Sequence, residues 1–152
     1  MRKKVIRIID ANLNRSREGL RVCEEIARFA LNSERLSRDL KTIRTRVSTL
    51  ARDLDARFGA LAHARDTGGD VGRSSRLPGH IGRSALRDVF IANMERAKES
   101  LRVLEEFLKL IDPAYAPRVS RQRFKAYEVE KRALQRIDAL QHRRQGKRSR
   151  TH

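Results

Sequence analysis

Apolar residues recur at helical spacing in four stretches of this chain, and no stretch alternates as a strand would. In the first, Leu13, Leu20, Cys23, Ala27 and Leu31 share a stripe. Asp10 or Asn12 is able to cap it, so the pattern predicts a helix from there to about Leu31. Asn32 and Ser33 interrupt the pattern, and Ser33 is placed to cap the next helix. The second stripe is cleaner: Leu36, Leu40, Ile43, Val47, Leu50, Leu54 and Phe58, stopped by Gly59. Arg38, Lys41, Arg44 and Arg52 on its far face read as solvated. A third helix is predicted from near Ser84 to the Asp112-Pro113 stop. A fourth follows from about Pro117 to Gln141, with Phe124, Tyr127, Leu134 and Ile137 as expected core contacts. Short connections make antiparallel hairpins of the first and second pairs. Between the pairs, HARDTGGDVGRSSRLPGHIGRS loses the pattern and gathers glycines. A connection longer than about 15 residues is unusual in a compact domain, and is either functional or a linker.

The first and third stripes carry one phrase written twice. Residues 11–25 read ANLNRSREGLRVCEE and residues 92–106 read ANMERAKESLRVLEE. The pairs Asn12/Asn93, Arg15/Arg96, Glu18/Glu99, Arg21/Arg102, Glu24/Glu105 and Glu25/Glu106 are identical. A repeat that only rebuilt a core would match best at apolar positions. Here polar positions match, which points to a site built by both copies. LKTI at Leu40 to Ile43 faintly echoes FKAY at Phe124 to Tyr127, so the repeat is read as extending over a whole hairpin. The expectation is an all-α fold: two antiparallel helical hairpins related by an internal repeat, packed as a four-helix domain with a Gly-rich central loop. The single domain covers residues 1–141, with copies at 10–58 and 84–141, the loop at 59–83, and a basic disordered tail at 142–152.

Composition narrows the partners. With 152 residues the chain suits one domain, and its formal net charge of +17 favours anionic ligands. An Arg-rich solvated surface is the plainer source of the same charge. Cys23, the only cysteine, reads as a buried thiol in a reducing compartment rather than a reactive one. The basic start has too short an apolar run for a signal peptide, and no apolar stretch is long enough to span a membrane. A cytoplasmic location is expected.

At about 100° per residue, Asn12, Arg15 and Glu18 fall on one sector of the first helix, which then continues through Val22, Ile26 and Phe29. Asn93, Arg96, Glu99, Val103 and Phe107 repeat the arrangement. Arg15 and Glu18, and Arg21 and Glu25, are spaced to pair within a helix. Three readings compete: ion pairs that lock the hairpins in register, a pocket in which Arg meets anions and Asn a heterocycle, and a carboxylate metal site. The last lacks His or Asp neighbours. In the loop, ARDTGGDVG offers Arg65, Asp66, Gly69, Asp70, Gly72 and, just beyond, Arg73. Glycine frees backbone N–H groups for phosphate, carboxylates hold Mg2+, and Arg neutralises phosphoryl charge. No P-loop, dinucleotide, zinc-protease or nucleophile-elbow motif is present. The four histidines are scattered.

These three motifs in order resemble the small helical hydroxymethylpyrimidine phosphate kinase of bacterial thiamine biosynthesis. That domain occurs alone or fused in front of thiamine-phosphate synthase. The likeness covers about residues 6–131. It implies ATP-dependent phosphorylation of 4-amino-5-hydroxymethyl-2-methylpyrimidine phosphate to the diphosphate, with Mg2+. The matching positions are Asn12, Arg15, Glu18, Arg21 and Glu25; then Arg65, Asp66, Gly69, Asp70 and Gly72; then Asn93, Arg96, Glu99, Arg102 and Glu106. Within that set, Arg15, Glu18, Arg96, Glu99 and Asp66 are expected to carry the chemistry, and Asp66 and Asp70 the metal. The others are expected to bind nucleotide or pyrimidine. A homodimer that completes the site is compatible with this repeat. The other classes left open are a basic helical nucleic-acid-binding protein and a non-catalytic binding domain for a phosphorylated metabolite.

Overall fold

The computed structural model describes residues 1–59, 61 and 85–148. It contains four long helices and, among the described residues, no strand. Helix α1 spans Arg2–Glu25 and continues through a π-helical turn, Ile26–Ala30; α2 spans Glu34–Phe58; α3 spans Leu86–Leu108; α4 spans Ala116–Arg148. The domain is all-α. Helix α1 packs on α2 and α3, α4 packs on the same two, and the four form a closed ring around one core.

Helix α1 begins eight residues before the expected Asp10. Val5 and Ile9 extend the stripe of Leu13, Leu20 and Cys23 backward, and all five are buried. Asp10 and Asn12 lie buried inside the helix rather than capping it. Burial outweighed their preference for a cap. The expected apolar face is broken on both sides of Glu25, within α1 and within the π-helical turn. Ile26 stays buried, but Val22 is at the surface and Phe29 is 69% exposed, its ring under the Arg28 guanidinium.

Ser33 accepts a hydrogen bond from the Leu36 N–H and caps α2, and Gly59 ends it with φ +76°. Every expected α2 core position from Leu36 to Leu54 is buried. Helix α3 follows an N-cap at Ala85 and ends at Leu108, four residues short of Asp112. Asp112 instead caps the turn Pro113–Tyr115, accepting from the Ala114 N–H.

Helix α4 departs from expectation twice. Its buried face is Val119, Ala126, Val129, Ala133 and Ile137, whereas Phe124 is 57% exposed and Tyr127 also lies at the surface. Their rings lie against cations, Phe124 with Arg123 and Tyr127 with Lys98. Buried α2 positions recur 79 residues later: Leu36, Leu40, Ile43, Val47, Leu50 and Leu54 answer to Tyr115, Val119, Gln122, Ala126, Val129 and Ala133. That register differs from the one the LKTI/FKAY echo implied. Within the expected disordered tail, α4 continues as far as Arg148.

Helices α1 and α3 run antiparallel, since Cys23 meets Phe90 and Glu18 meets Arg96. They approach closely at Gly19, where a Cβ would stand 2.6 Å from the Asn93 carbonyl oxygen. Ser16, Ala97 and Ser100, all buried, keep the rest of the crossing small. Helix α2 ends beside the start of α1, where Arg2 stacks on Phe58. Helix α3 starts beside the end of α1, at Phe90. The segment after Leu61 therefore joins opposite ends of the ring.

Candidate functional site

The twice-written residues divide into two groups. Arg21 contacts Glu24 at 3.4 Å and Glu25 at 2.6 Å, and Glu24 accepts from Arg44 Nε at 2.7 Å. In the other half Arg102 contacts Glu105 at 3.1 Å and Glu106 at 2.9 Å, and Glu105 accepts from Arg123 Nε at 2.9 Å. Each cluster ties one hairpin together. Glu24 and Glu105 are buried, so their charges require these partners. Arg44 is thus a structural cation rather than a solvated one. The Glu105 hydrogen bond raises the Arg123 pKa further, and the Lys109 ammonium, with Arg102 behind it, holds the Glu106 carboxyl below its usual range. Asn12 and Asn93 also act alike, each donating through Nδ2 to the carbonyl one turn back, Ile8 and Val89, at 2.8 Å.

The second group lies along the outer seam of α1 and α3. Glu18 and Arg96 face each other at 3.5 Å, both more than half exposed. The equivalent pair in the other direction, Arg15 and Glu99, is exposed and forms no ion pair among the described residues. Glu18 pairs across the seam, not with Arg15 along the helix. Arg65, Asp66, Gly69, Asp70, Gly72 and Arg73 lie outside the described residues.

A cleft that the sequence reading missed opens between α1 and α2. Asp10, Leu13, Arg17, Ser48, Arg52 and Asp55 line it, and it encloses about 240 Å3. Leu61, where the chain leaves α2, closes one wall, held by its N–H donating to Asp55 Oδ1 at 2.6 Å. Arg17 donates to Asn14, and Arg52 to Thr49 Oγ1. The other hairpin fills the matching space. There Lys98, the counterpart of Arg17, is buried and bonds Glu95 at 2.5 Å and Glu130 at 2.6 Å, with the Tyr127 ring over its Nζ. Burial opposes the Lys98 charge, but the hydrogen bonds to Glu130 and Glu95 outweigh it and raise its pKa. One copy is plugged by an ion pair and the other is open. The signal was in the sequence: Asp10 stands where the second copy has Ile91, and Ala51 where α4 has Glu130.

Cys23 adds nothing reactive. Its thiol is buried against the Phe90 carbonyl at 3.5 Å, and burial, aided by the Glu130 charge, pushes its pKa up to about 12. Among the described residues, no three His, Cys, Asp or Glu side chains converge to hold an ion, and no helix is long and apolar enough to cross a membrane.

The model of the ThiD2 family matches residues 7–132. The chain belongs to the ThiD2 family. It is 40% identical over 126 residues to the thiamine-phosphate synthase of Nostoc sp. (strain PCC 7120 / SAG 25.82 / UTEX 2576), covering 83% of this chain and 34% of that protein. It is 41% identical over 127 residues to that of Synechococcus sp. (strain CC9605), with 84% and 34% covered. The thiamine-phosphate synthase of Rhodopirellula baltica is 40% identical over 125 residues, with 82% and 33% covered. This ThiD2-family chain thus spans about a third of the length of the curated relatives it matches. No solved structure matches. The matched range contains both copies of the twice-written phrase, the α1/α2 cleft and the glycine-rich segment.

Proposed function

We propose that this ThiD2-family domain is an ATP-dependent phosphotransferase of thiamine biosynthesis that converts 4-amino-5-hydroxymethyl-2-methylpyrimidine phosphate to the diphosphate. The observation that carries the reading is the open α1/α2 cleft, whose counterpart is plugged. It sets two guanidinium groups and two carboxylates around one space, beside Leu61, where the chain leaves α2.

The acceptor in this reaction is a phosphate monoester, already ionised. It needs no strong general base. An acceptor oxygen attacks the γ-phosphorus of ATP, the bond to the β-phosphate oxygen breaks, and ADP leaves. Catalysis then rests on alignment and on neutralising charge as two anions approach. Arg17 and Arg52 supply that positive charge. Asp10 and Asp55, with Asp66 and Asp70 proposed from the loop, fit a magnesium ion held by one or two carboxylates plus phosphate oxygens. When bound, Mg2+ would neutralise charge on the phosphates. Asn12 and Asn93 each spend an amide hydrogen on the backbone, so the aminopyrimidine is assigned to polar groups other than those hydrogens.

The outer seam is the second position for the reaction, favoured by the absence of an ion pair at Arg15 and Glu99 beside the Glu18–Arg96 pair. Coupled ADP-release measurements with and without the pyrimidine phosphate test the function. Release that requires both substrates is the expected result. Binding of the pyrimidine phosphate without ADP release would leave a non-catalytic domain and overturn the proposal.

A further inference from the structure

A different surface of the ring, the α2/α4 seam, carries an unassigned cleft. It lies opposite the α1/α3 seam, because α1 and α4 each pack on both α2 and α3. Two ion pairs latch its ends: Asp39 with Arg132 at 2.8 Å, and Asp53 with Arg118 at 2.6 Å. The order of partners shows that α2 and α4 run antiparallel. It also fixes what lies between. Arg46 is seven residues after Asp39 and seven before Asp53; Lys125 is seven before Arg132 and seven after Arg118. Arg46 and Lys125 therefore face one another across the midpoint, and both line the cleft.

Like charges opposed at the centre of a helix pair repel unless an anion sits between them. Among the described residues, no carboxylate does. Arg46, Arg121 and Lys125 form no ion pair among the described residues, and no carboxylate lines the cleft. It encloses about 210 Å3 over an apolar floor that includes Leu50, Leu101 and Val119. Gln122 also lines the cleft wall and is only 9% exposed, its Oε1 closed off from solvent.

We propose that the α2/α4 cleft is a binding site for a compact phosphate ester. Arg46, Arg121 and Lys125 take the phosphate. The size suits a phosphate with a small polar body. Occupation would neutralise the repulsion at the seam and brace α2 against α4. The site does not depend on the kinase reading.

The test uses the full chain, with pyrophosphate and ribose 5-phosphate as probes in calorimetric titrations at constant ionic strength. Arg46→Gln/Lys125→Gln should weaken both probes at least tenfold. Lys41→Gln/Lys131→Gln removes the same charge from exposed positions outside the cleft and should change neither more than twofold. The Arg46→Gln/Lys125→Gln variant should also melt higher than the parent without ligand and gain nothing from pyrophosphate. Unchanged binding in that variant, or an equal loss in the Lys41→Gln/Lys131→Gln control, would overturn the site. Arg17→Gln/Arg52→Gln should keep this binding even if it abolishes kinase activity, which separates this proposal from the previous one.

Discussion

Arg44 of α2 donates from Nε to the buried Glu24 of α1 at 2.7 Å, and this contact has a twin in Arg123 and Glu105 of the other hairpin. The twin contacts explain why Glu24 and Glu105 are identical in the repeat. Removing one partner of a buried ion pair typically costs about 3–5 kcal/mol. Arg44 keeps a quarter of its side chain in solvent, which discounts the loss to roughly 2–3 kcal/mol. Glu24→Ala and Glu105→Ala should each lower the urea midpoint by that equivalent, with unchanged slope. A double-mutant cycle on Glu24 and Arg44 should recover most of the loss as coupling. Effects below about 0.5 kcal/mol would show that the pair is incidental.

Gly19 should tolerate no side chain. A Cβ there would meet the Asn93 carbonyl oxygen at 2.6 Å, a backbone atom of another helix that has no side-chain rotation to yield by. Alanine is the better helix former and would stabilise an exposed position by about 1 kcal/mol. Here overpacking should win, at about 1–3 kcal/mol of lost stability. Thermal unfolding of Gly19→Ala decides the sign. The second copy has Ser100 at this position, so Ser100→Gly should be far milder in its effect on packing.

Cys23 sets an alkaline limit. Its pKa rises to about 12 in the folded chain, above the ordinary 9.0 of the unfolded one. Between those values the unfolded chain sheds the thiol proton and the folded chain keeps it. Stability contributed by the neutral thiol is therefore full below pH 9 and is lost as pH rises toward 12. The limiting slope for one such group is about 1.4 kcal/mol per pH unit. Cys23→Ala should flatten this decline in unfolding curves taken from pH 9 upward. In the parent chain, alkylation of Cys23 at pH 8 should follow global unfolding rather than precede it.

What the sequence made legible was the stripe-forming part. The α2 face from Leu36 to Leu54, the Ser33 cap and the Gly59 stop follow from spacing and local backbone preference alone. The misses have a common cause. Asp10 and Asn12 resemble caps locally, yet packing buries them. Phe124 and Tyr127 are the aromatic residues of α4, yet Val119, Ala126, Val129, Ala133 and Ile137 are the ones that turn inward. Phe29 leaves the core because one π-helical turn shifts the register behind it, which no 3.6-residue pattern foresees. Polar identity between the copies pointed to a shared site. In the structure Arg21, Glu24 and Arg44 and their counterparts also tie each hairpin together, whereas the open cleft is marked by differences, Asp10 against Ile91 and Ala51 against Glu130.

That contrast gives the decisive kinetic comparison. If the reaction occurs in the α1/α2 cleft, Arg17→Gln/Arg52→Gln removes charge aimed at the reacting phosphates. Loss of one such donor typically costs about 10²–10³-fold in turnover, and loss of both should leave activity near background. Glutamine keeps the helical stem, and both positions are partly or fully exposed, so the helical signal should be unchanged. Arg15→Gln/Glu99→Gln on the outer seam should then change kcat/KM by less than about threefold, because an exposed group that touches no substrate contributes only weak, screened electrostatics. The converse pattern would move the reaction to the seam and leave the cleft as a structural gap. Refilling the cleft distinguishes further. Ala51→Glu with Arg17→Lys recreates the Lys98–Glu130 plug of the other hairpin, and should raise stability while abolishing activity. A plugged protein that stays active would show that the space between α1 and α2 does not hold the reacting groups.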